Sequence, residues 1–162
     1  MEQIPPIIID IEASGFSSEG YPIEVGVALE DGNTFCSLIL ACPEWTYWDE
    51  EAEKVHRVAR DILETYGKSI EEVATALNEL LKDKTAYSDG WEVDQPWLSK
   101  LFWAANIPQA FRFSTLEMIL NADQMKKWHD TKDEVFEEMK INRHRASLDA
   151  VVIQKTYMKT RN

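Results

Sequence analysis

The sequence has few of the residues that build zinc sites and disulfide frameworks. Among its 162 residues are two cysteines, Cys36 and Cys42, and three histidines. The cysteines form no Cys-x-x-Cys pair and no histidine adjoins them. The pattern therefore indicates neither a zinc site nor a set of disulfides, and it predicts two buried thiols.

Long apolar runs are lacking as well. No stretch reaches the roughly 20 apolar residues that a membrane-spanning helix needs. The opening Met-Glu-Gln does not show the basic-then-apolar pattern of a signal peptide, so we expect a cytoplasmic protein with no membrane partner. Internal repeats and low-complexity tracts are also missing, and the length predicts one domain over residues 1–162 with a substantial core.

Basic residues are scarce. Lysine and arginine number 17 against 29 acidic residues, which gives a net charge of −12 and argues against a long basic groove for nucleic acid. The deficit is uneven, because residues 140–162 carry six basic residues and one acid, or +5, and residues 1–139 carry −17. A locally basic segment of this kind can still hold a phosphate.

The residues that are present alternate between strand and helix patterns. Residues 7–11, 21–29 and 34–40 read as three strands of an antiparallel meander, with a turn at 30–33. The later periodicity predicts one or two short helices within 44–66, and helices over 70–81, 95–105, 121–140 and 146–158, with short strands at 85–87 and 111–113. Ser69 is expected to cap the helix over 70–81, and Asp94 and Pro96 are expected to open the helix over 95–105. The helix over 121–140 is either continuous or broken near His129. This order predicts a mixed α/β sheet covered by helices.

The first strand ends in two carboxylates, Asp10 and Glu12, one residue apart. Alternate side chains of a strand share a face, so the two acids point the same way. Two neighbouring carboxylates repel each other, and a bound divalent metal ion commonly offsets this repulsion. The alternative is a pair of solvated acids at the end of a strand.

Two later segments extend this pattern. The first is residues 87–98, with Asp94 before Trp97 and Leu98, and the second is residues 144–150, His-Arg-Ala-Ser-Leu-Asp-Ala. With the first strand and its Gly15-Phe16 turn, these segments resemble the three motifs of the DEDDh family of 3′→5′ exonucleases, a group that includes ribonuclease T, oligoribonuclease and polymerase proofreading exonucleases. The motifs occur in the family's order and nearly fill the chain.

The resemblance implies a ribonuclease H-like fold, with a five-stranded mixed sheet of three antiparallel and then two parallel strands flanked by helices. It implies two Mg²⁺ or Mn²⁺ ions and release of nucleoside 5′-monophosphates from a 3′ end. The residues that match the family's metal ligands are Asp10, Glu12, Asp94 and Asp149. All four offer hard oxygen donors, which suit these ions.

His144 matches the family's general base, and its ordinary pKa near 6.5 suits proton transfer at working pH. His144 and Asp149 are five residues apart and do not share a helical face, so we expect His144 in the loop before the last helix and Asp149 in its first turns. The resemblance also implies that Gly15 and Phe16 contact the terminal nucleotide, with Phe16 stacking on a base. Arg143 and Arg145 flank His144, and at least one of them, with Arg145 as the candidate, is expected to hold a phosphate.

Each of these assignments has a structural competitor. Asp94 is also suited to cap a helix, and Asp89 competes with it for the metal role, although its spacing to Trp97 does not fit the family. His144 in a basic loop reads equally as a surface histidine. We assign no role to His56, although residues 48–63 are similar to the family's region after the third strand.

The sequence is compatible with three functions. The first is a metal-dependent exoribonuclease acting on RNA or short single strands, favoured by the acidic body of the chain. The second is a DNA 3′→5′ exonuclease that proofreads or trims. The third is a catalytically silent ribonuclease H-like module that binds a partner. The sequence is compatible with a homodimer and does not fix the oligomeric state.

Overall fold

Five strands form one mixed sheet in the computed structural model, which describes residues 3–140 and 145–162. The strands are β1 (Ile7–Ala13), β2 (Pro22–Ala28), β3 (Thr34–Leu38), β4 (Thr85–Ser88) and β5 (Arg112–Thr115). Their order in the sheet is β3-β2-β1-β4-β5, with antiparallel pairing among the first three and parallel pairing of β4 with β1 and of β5 with β4. The predicted fold class, three antiparallel strands followed by two parallel ones, is confirmed.

Six α-helices flank this sheet in the described parts of the chain. They are α1 (Glu50–His56), α2 (Arg60–Tyr66), α3 (Ile70–Leu81), α4 (Trp91–Ala105), α5 (Ala122–Met139) and α6 (Ala146–Thr160). A 3₁₀ helix at Leu116–Ile119, which the sequence did not predict, follows β5. Among residues 3–140 and 145–162, none of the helices has the length and apolar character needed to cross a bilayer.

Local sequence chemistry explains the elements that were predicted well. Ser69 accepts a hydrogen bond from the Glu72 amide and caps α3, which has the predicted bounds. The turn between β2 and β3 contains Gly32 at φ +88°, a conformation that glycine adopts without strain, while Asp31 accepts hydrogen bonds from Asn33.

The sheet lies between two helical layers. One face packs on α3 and α4 around a core that includes Ile7, Ile9 and Ile11 of β1. The other face packs on α5 and α6 through Ile8 of β1 and Ile153 of α6. Because side chains alternate along a strand, Asp10 and Glu12 share the face of Ile8 and point toward α6.

Two predictions need correction. The helix α4 begins at Trp91, not near residue 95, and Asp94 is not its cap: Gly90 holds that position and Pro96 lies inside the helix. Proline favours the first turn of a helix, which made the start look later than it is. The cysteines are not buried, because Cys36 is exposed and Cys42 is only half-buried. Of the two alternatives for residues 121–140, the structure has the continuous helix, with His129 inside α5.

Candidate metal and nucleic-acid site

Three carboxylates meet where β1 ends beside α6. Asp10 and Glu12 come from β1, and Asp149 comes from the first turn of α6. Each offers an oxygen that lies within 4.8 Å of the other two. The structure therefore brings together three of the four predicted metal ligands, from segments far apart in the sequence.

Gly26 of β2 lets α6 come this close to the sheet. Gly26 pairs with Asp10 in the register of β1 and β2. A Cβ atom on Gly26 would lie 2.2 Å from the carbonyl carbon of Ala146, so any other residue would push the start of α6 away from the strand. The close contact places Asp149, one turn further along α6, over Asp10 and Glu12.

Glu24 is a further buried carboxylate, which the sequence analysis missed. It is 2% exposed and lies directly opposite Glu12 on β2. Its Oε1 accepts a hydrogen bond of 2.6 Å from the Ala146 amide, and its Oε2 lies 2.8 Å from Nη2 of Arg145. Glu24 thus anchors the start of α6, and the predicted phosphate-binding residue Arg145 is paired with it.

Asp94 lies at the same cleft but outside the group of three. Its Oδ2 accepts a hydrogen bond of 2.6 Å from Ser88 Oγ at the end of β4. Asp94 is 3% exposed and sits in the first turn of α4. Its competitor Asp89 lies in the loop before Gly90 and forms an ion pair with Lys132 of α5 at 2.7 Å.

Burial and the charges of neighbouring acids raise the pKa values of several carboxyl groups at this site. Burial raises the pKa of Glu12 from 4.5 to about 9, and the charges of Asp149 and Glu24 add to the shift. Burial, followed by the charges of Asp94 and Glu12, raises the pKa of Asp10 well above its ordinary value. Burial also raises the pKa of Asp94 to about 7, against a lowering hydrogen bond from Ser88. The cluster resists full ionisation unless positive charge is added.

The carboxylates line the floor of a cleft of about 270 Å³. Phe16 stands at its edge, 76% exposed, with its ring 6.0 Å from that of Trp97. Gly15, next to it, packs so closely that a Cβ atom would lie 2.6 Å from Tyr47 Cε1. The predicted nucleotide-contact residues therefore border the same cleft as the acids.

His56 also lines this cleft, although we assigned it no role from the sequence. Its Nδ1 accepts a hydrogen bond from the Val58 amide, and its imidazole packs edge-on against Trp48. Burial lowers the pKa of His56, which favours the neutral ring. Nothing in the sequence around His56 distinguishes this buried position from a surface one.

The predicted base His144 lies outside the described residues, as does Arg143. In the sequence His144 directly precedes Arg145, the N-cap residue of α6. Asp149, one turn into that helix, is described and lies in the cluster. The role of His144 therefore stays a prediction.

The fold is shared with nucleases of known structure. The crystal structure of Escherichia coli exonuclease I with a dA16 oligonucleotide matches 98% of this chain, with a TM-score of 0.69 and 11% identity. A structure of exonuclease I described as suggesting how processivity is achieved also matches 98% of this chain, with a TM-score of 0.71 and 10% identity. A zinc-bound complex of that enzyme with single-stranded DNA also matches, at a TM-score of 0.69 and 11% identity. The chain spans about 40% of the length of these proteins, and at such identity the likeness shows the fold alone. The sequence matches no protein-family model and no curated protein.

Proposed function

We propose that residues 1–162 form a single-domain, metal-dependent 3′→5′ exonuclease that acts in the cytoplasm on RNA or short single strands. The reaction adds water to the terminal phosphodiester, breaks the bond between phosphorus and the 3′ oxygen of the preceding nucleotide, and releases a nucleoside 5′-monophosphate. The meeting of Asp10, Glu12 and Asp149 in one cleft carries this proposal.

The donor set fits two Mg²⁺ or Mn²⁺ ions. Carboxylate oxygens are the ligands these ions prefer, and no cysteine lies among the described residues that line the cleft. Asp10 Oδ2 is buried and accepts no hydrogen bond from any described residue, as expected for an oxygen that serves a cation. Asp10, Glu12 and Asp149 would hold the ions, with Asp94 beside them. When bound, two such ions supply Lewis acidity for the attack of water and the departure of the leaving oxygen.

The remaining residues bind the strand and move the proton. His144 takes the proton from the attacking water, a role that a neutral imidazole can fill near its ordinary pKa. Phe16 stacks on the terminal base, and such stacking tolerates any of the bases. Gly15 keeps the backbone of that turn close to the nucleotide. Arg145, whose side chain remains 45% exposed beside Glu24, is available to a phosphate as well.

DNA is the second candidate substrate. The net charge of −12 argues against a long duplex-binding groove and supports short single strands, without deciding the sugar. The exonuclease I structures contain single-stranded DNA oligonucleotides, which supports a DNA strand in a cleft of this fold. A silent binding module is the third candidate, and the complete acidic cluster speaks against it.

One assay distinguishes these candidates. The protein is incubated with Mg²⁺ or Mn²⁺ and with 5′-labelled RNA and DNA of equal sequence, and Asp10→Asn purified in the same way is the control. We expect a ladder that shortens from the 3′ end with wild type only. A ladder that Asp10→Asn produces equally would point to a contaminant, and binding without shortening would favour the silent module.

A further inference from the structure

A cationic side chain lines the acidic cleft. Lys132 of α5 lines it, and among the described lining residues no other lysine or arginine is present. Its Nζ lies 2.7 Å from Asp89 Oδ2, and the two side chains are 27% and 20% exposed. Lys132 is thus partly open to solvent and lines the cleft in which a charged ligand would bind.

The surroundings of Lys132 suit a phosphate. A nucleic-acid strand carries one negative charge per nucleotide, while the cleft floor is itself acidic, so entry is favoured by a cation at the wall. Lysine binds phosphate as a compact point charge that can turn toward its ligand. Because this pair is partly open to water, it is weaker than a fully buried pair, and its partner can be exchanged.

Arg145 differs from Lys132 in this respect. It is bound to the buried Glu24 through both Nε and Nη2, and releasing it would leave that carboxylate without its cation. Lys132 can leave Asp89 at lower cost, because the Asp89 side chain is 20% exposed to water whereas Glu24 is 2% exposed. Of these two cations, Lys132 is the one whose partner is easily exchanged.

We propose that Lys132 is a phosphate-binding residue of the cleft, which exchanges Asp89 for a phosphate of the bound strand. This inference rests on the proposed function and adds a contact outside the three motifs. Asp89 holds the ammonium group at the cleft before the strand arrives and competes with the phosphate for it. The alternative is a bridge that only ties α5 to the loop between β4 and α4.

The two possibilities predict different effects of Asp89→Asn on KM. If Lys132 binds phosphate, Lys132→Met should raise KM by about tenfold, as expected for the loss of a charged hydrogen bond. Asp89→Asn should lower KM or leave it unchanged, because the competitor for the ammonium group is weakened. If the pair is only a bridge, both substitutions should raise KM by similar factors.

The experiment measures KM and the dissociation constant for a fluorescein-labelled single-stranded 10-mer at several salt concentrations, with metal saturating. Binding is measured with a 3′-terminal phosphorothioate linkage to slow turnover. For Lys132→Met the slope of log Kd against log salt should fall by about 0.7, the value for one phosphate contact on a single strand. Lys132→Arg should recover most of the binding, and Lys127→Met, which removes an exposed pair with Asp123 on the same helix, should behave as wild type.

The outcomes separate this inference from the proposed function. A wild type that neither binds nor shortens the strand would overturn both. A wild type that does both while Lys132→Met keeps its KM and salt slope, or while Asp89→Asn raises KM as much as Lys132→Met, would overturn the role of Lys132 alone. Melting temperatures of all variants show whether a change in KM reflects lost folding.

Discussion

Glu24 and Glu12 stand opposite each other on neighbouring strands and point to the same face, but among residues 3–140 and 145–162 only Glu24 forms an ion pair with a cation. Arg145 lies 2.8 Å from Glu24, while burial and the nearby acids raise the pKa of Glu12 to about 9. Glu24 thus holds the start of α6 in place, while at Glu12 burial and repulsion outweigh the attraction of Arg145. A site that binds cations needs both a rigid frame and unsatisfied negative charge.

The first prediction concerns that frame. Arg145→Met removes the cation from a carboxylate that is 2% exposed, and we expect a loss of about 1–3 kcal/mol in the free energy of unfolding. Arg145 is itself partly exposed, so the loss should stay below that of a fully buried pair. Lys159→Met, whose partners Glu134 and Glu138 are exposed, is the control and should change the free energy of unfolding much less. Urea denaturation of both variants measures the difference, and equal effects would contradict the anchoring role.

The second prediction concerns metal binding. Mg²⁺ or Mn²⁺ should raise the free energy of unfolding of wild type by RT ln(1 + [L]/Kd), because only the folded state assembles the cluster. The melting temperature should rise accordingly. Asp10→Asn should melt higher than wild type without metal, since it removes a buried repelling charge, and should lose the metal-dependent shift. Asp123→Asn, exposed on α5, should keep that shift. A full shift in Asp10→Asn, measured by thermal denaturation, would remove Asp10 from the ligand set.

The third prediction follows from the raised pKa of Glu12. Between the unfolded pKa of 4.5 and the folded pKa of about 9, the folded state holds more protons than the unfolded state, so Glu12 makes stability fall as pH rises. Without metal, the advantage of Glu12→Gln over wild type should therefore grow from pH 5 to pH 9. Glu137→Gln, on the exposed side of α5, should show a flat difference. Saturating Mg²⁺ should reverse the order at high pH, and melting temperatures across this range test both statements.

The fourth prediction concerns Phe16. Because the side chain is 76% exposed, Phe16→Ala should change the free energy of unfolding little, while KM should rise by about 5- to 150-fold if one base stacks on the ring. Phe16→Trp should keep a low KM. Trp103→Ala removes an aromatic ring that is 87% exposed and lies away from the cleft, and it should leave KM unchanged. Equal KM values for Phe16→Ala and wild type would exclude stacking.

The local parts of this structure were predictable from the sequence because local chemistry determines them. The alternation in β1 placed Asp10 and Glu12 on one face, and Ser69 with the apolar spacing after it defined α3 to the residue. The start of α4 was predicted wrongly because Pro96 imitates a first helical position. Such patterns report the backbone state of a segment and say little about its neighbours in space.

The contacts that complete the site depend on packing between distant segments. Glu24 and Arg145 are 121 residues apart, and Glu24 reads in the sequence as an ordinary polar residue of a strand. Gly26 likewise shows no sign that α6 will rest on it, and Lys132 lies in a helix rich in charges of both signs. The only available signal was an acid and a glycine inside an otherwise apolar strand, where each is unfavourable without a tertiary reason.

The last prediction distinguishes the role of His144 from that of the carboxylates. Loss of a general base lowers kcat and leaves metal binding intact, whereas loss of a metal ligand weakens metal binding as well. His144→Ala should lower kcat by about 10²–10⁴-fold while the metal-dependent rise in melting temperature stays near the wild-type value. The wild-type rate should fall as pH drops through the pKa of His144, since the imidazolium cannot accept a proton. In His144→Ala this acid limb should weaken or move, and a higher hydroxide concentration should partly restore the rate at high pH.

The measurement is kcat against pH for both proteins with metal saturating at every point. His129→Ala, which removes an exposed histidine of α5, is the matched control and should retain both kcat and the acid limb. Protonation of the clustered carboxylates contributes to the wild-type limb at lower pH, so the informative quantity is the difference between the His144→Ala and His129→Ala profiles. If those profiles coincide, His144 takes no part in proton transfer, and another group or solvent hydroxide activates the water.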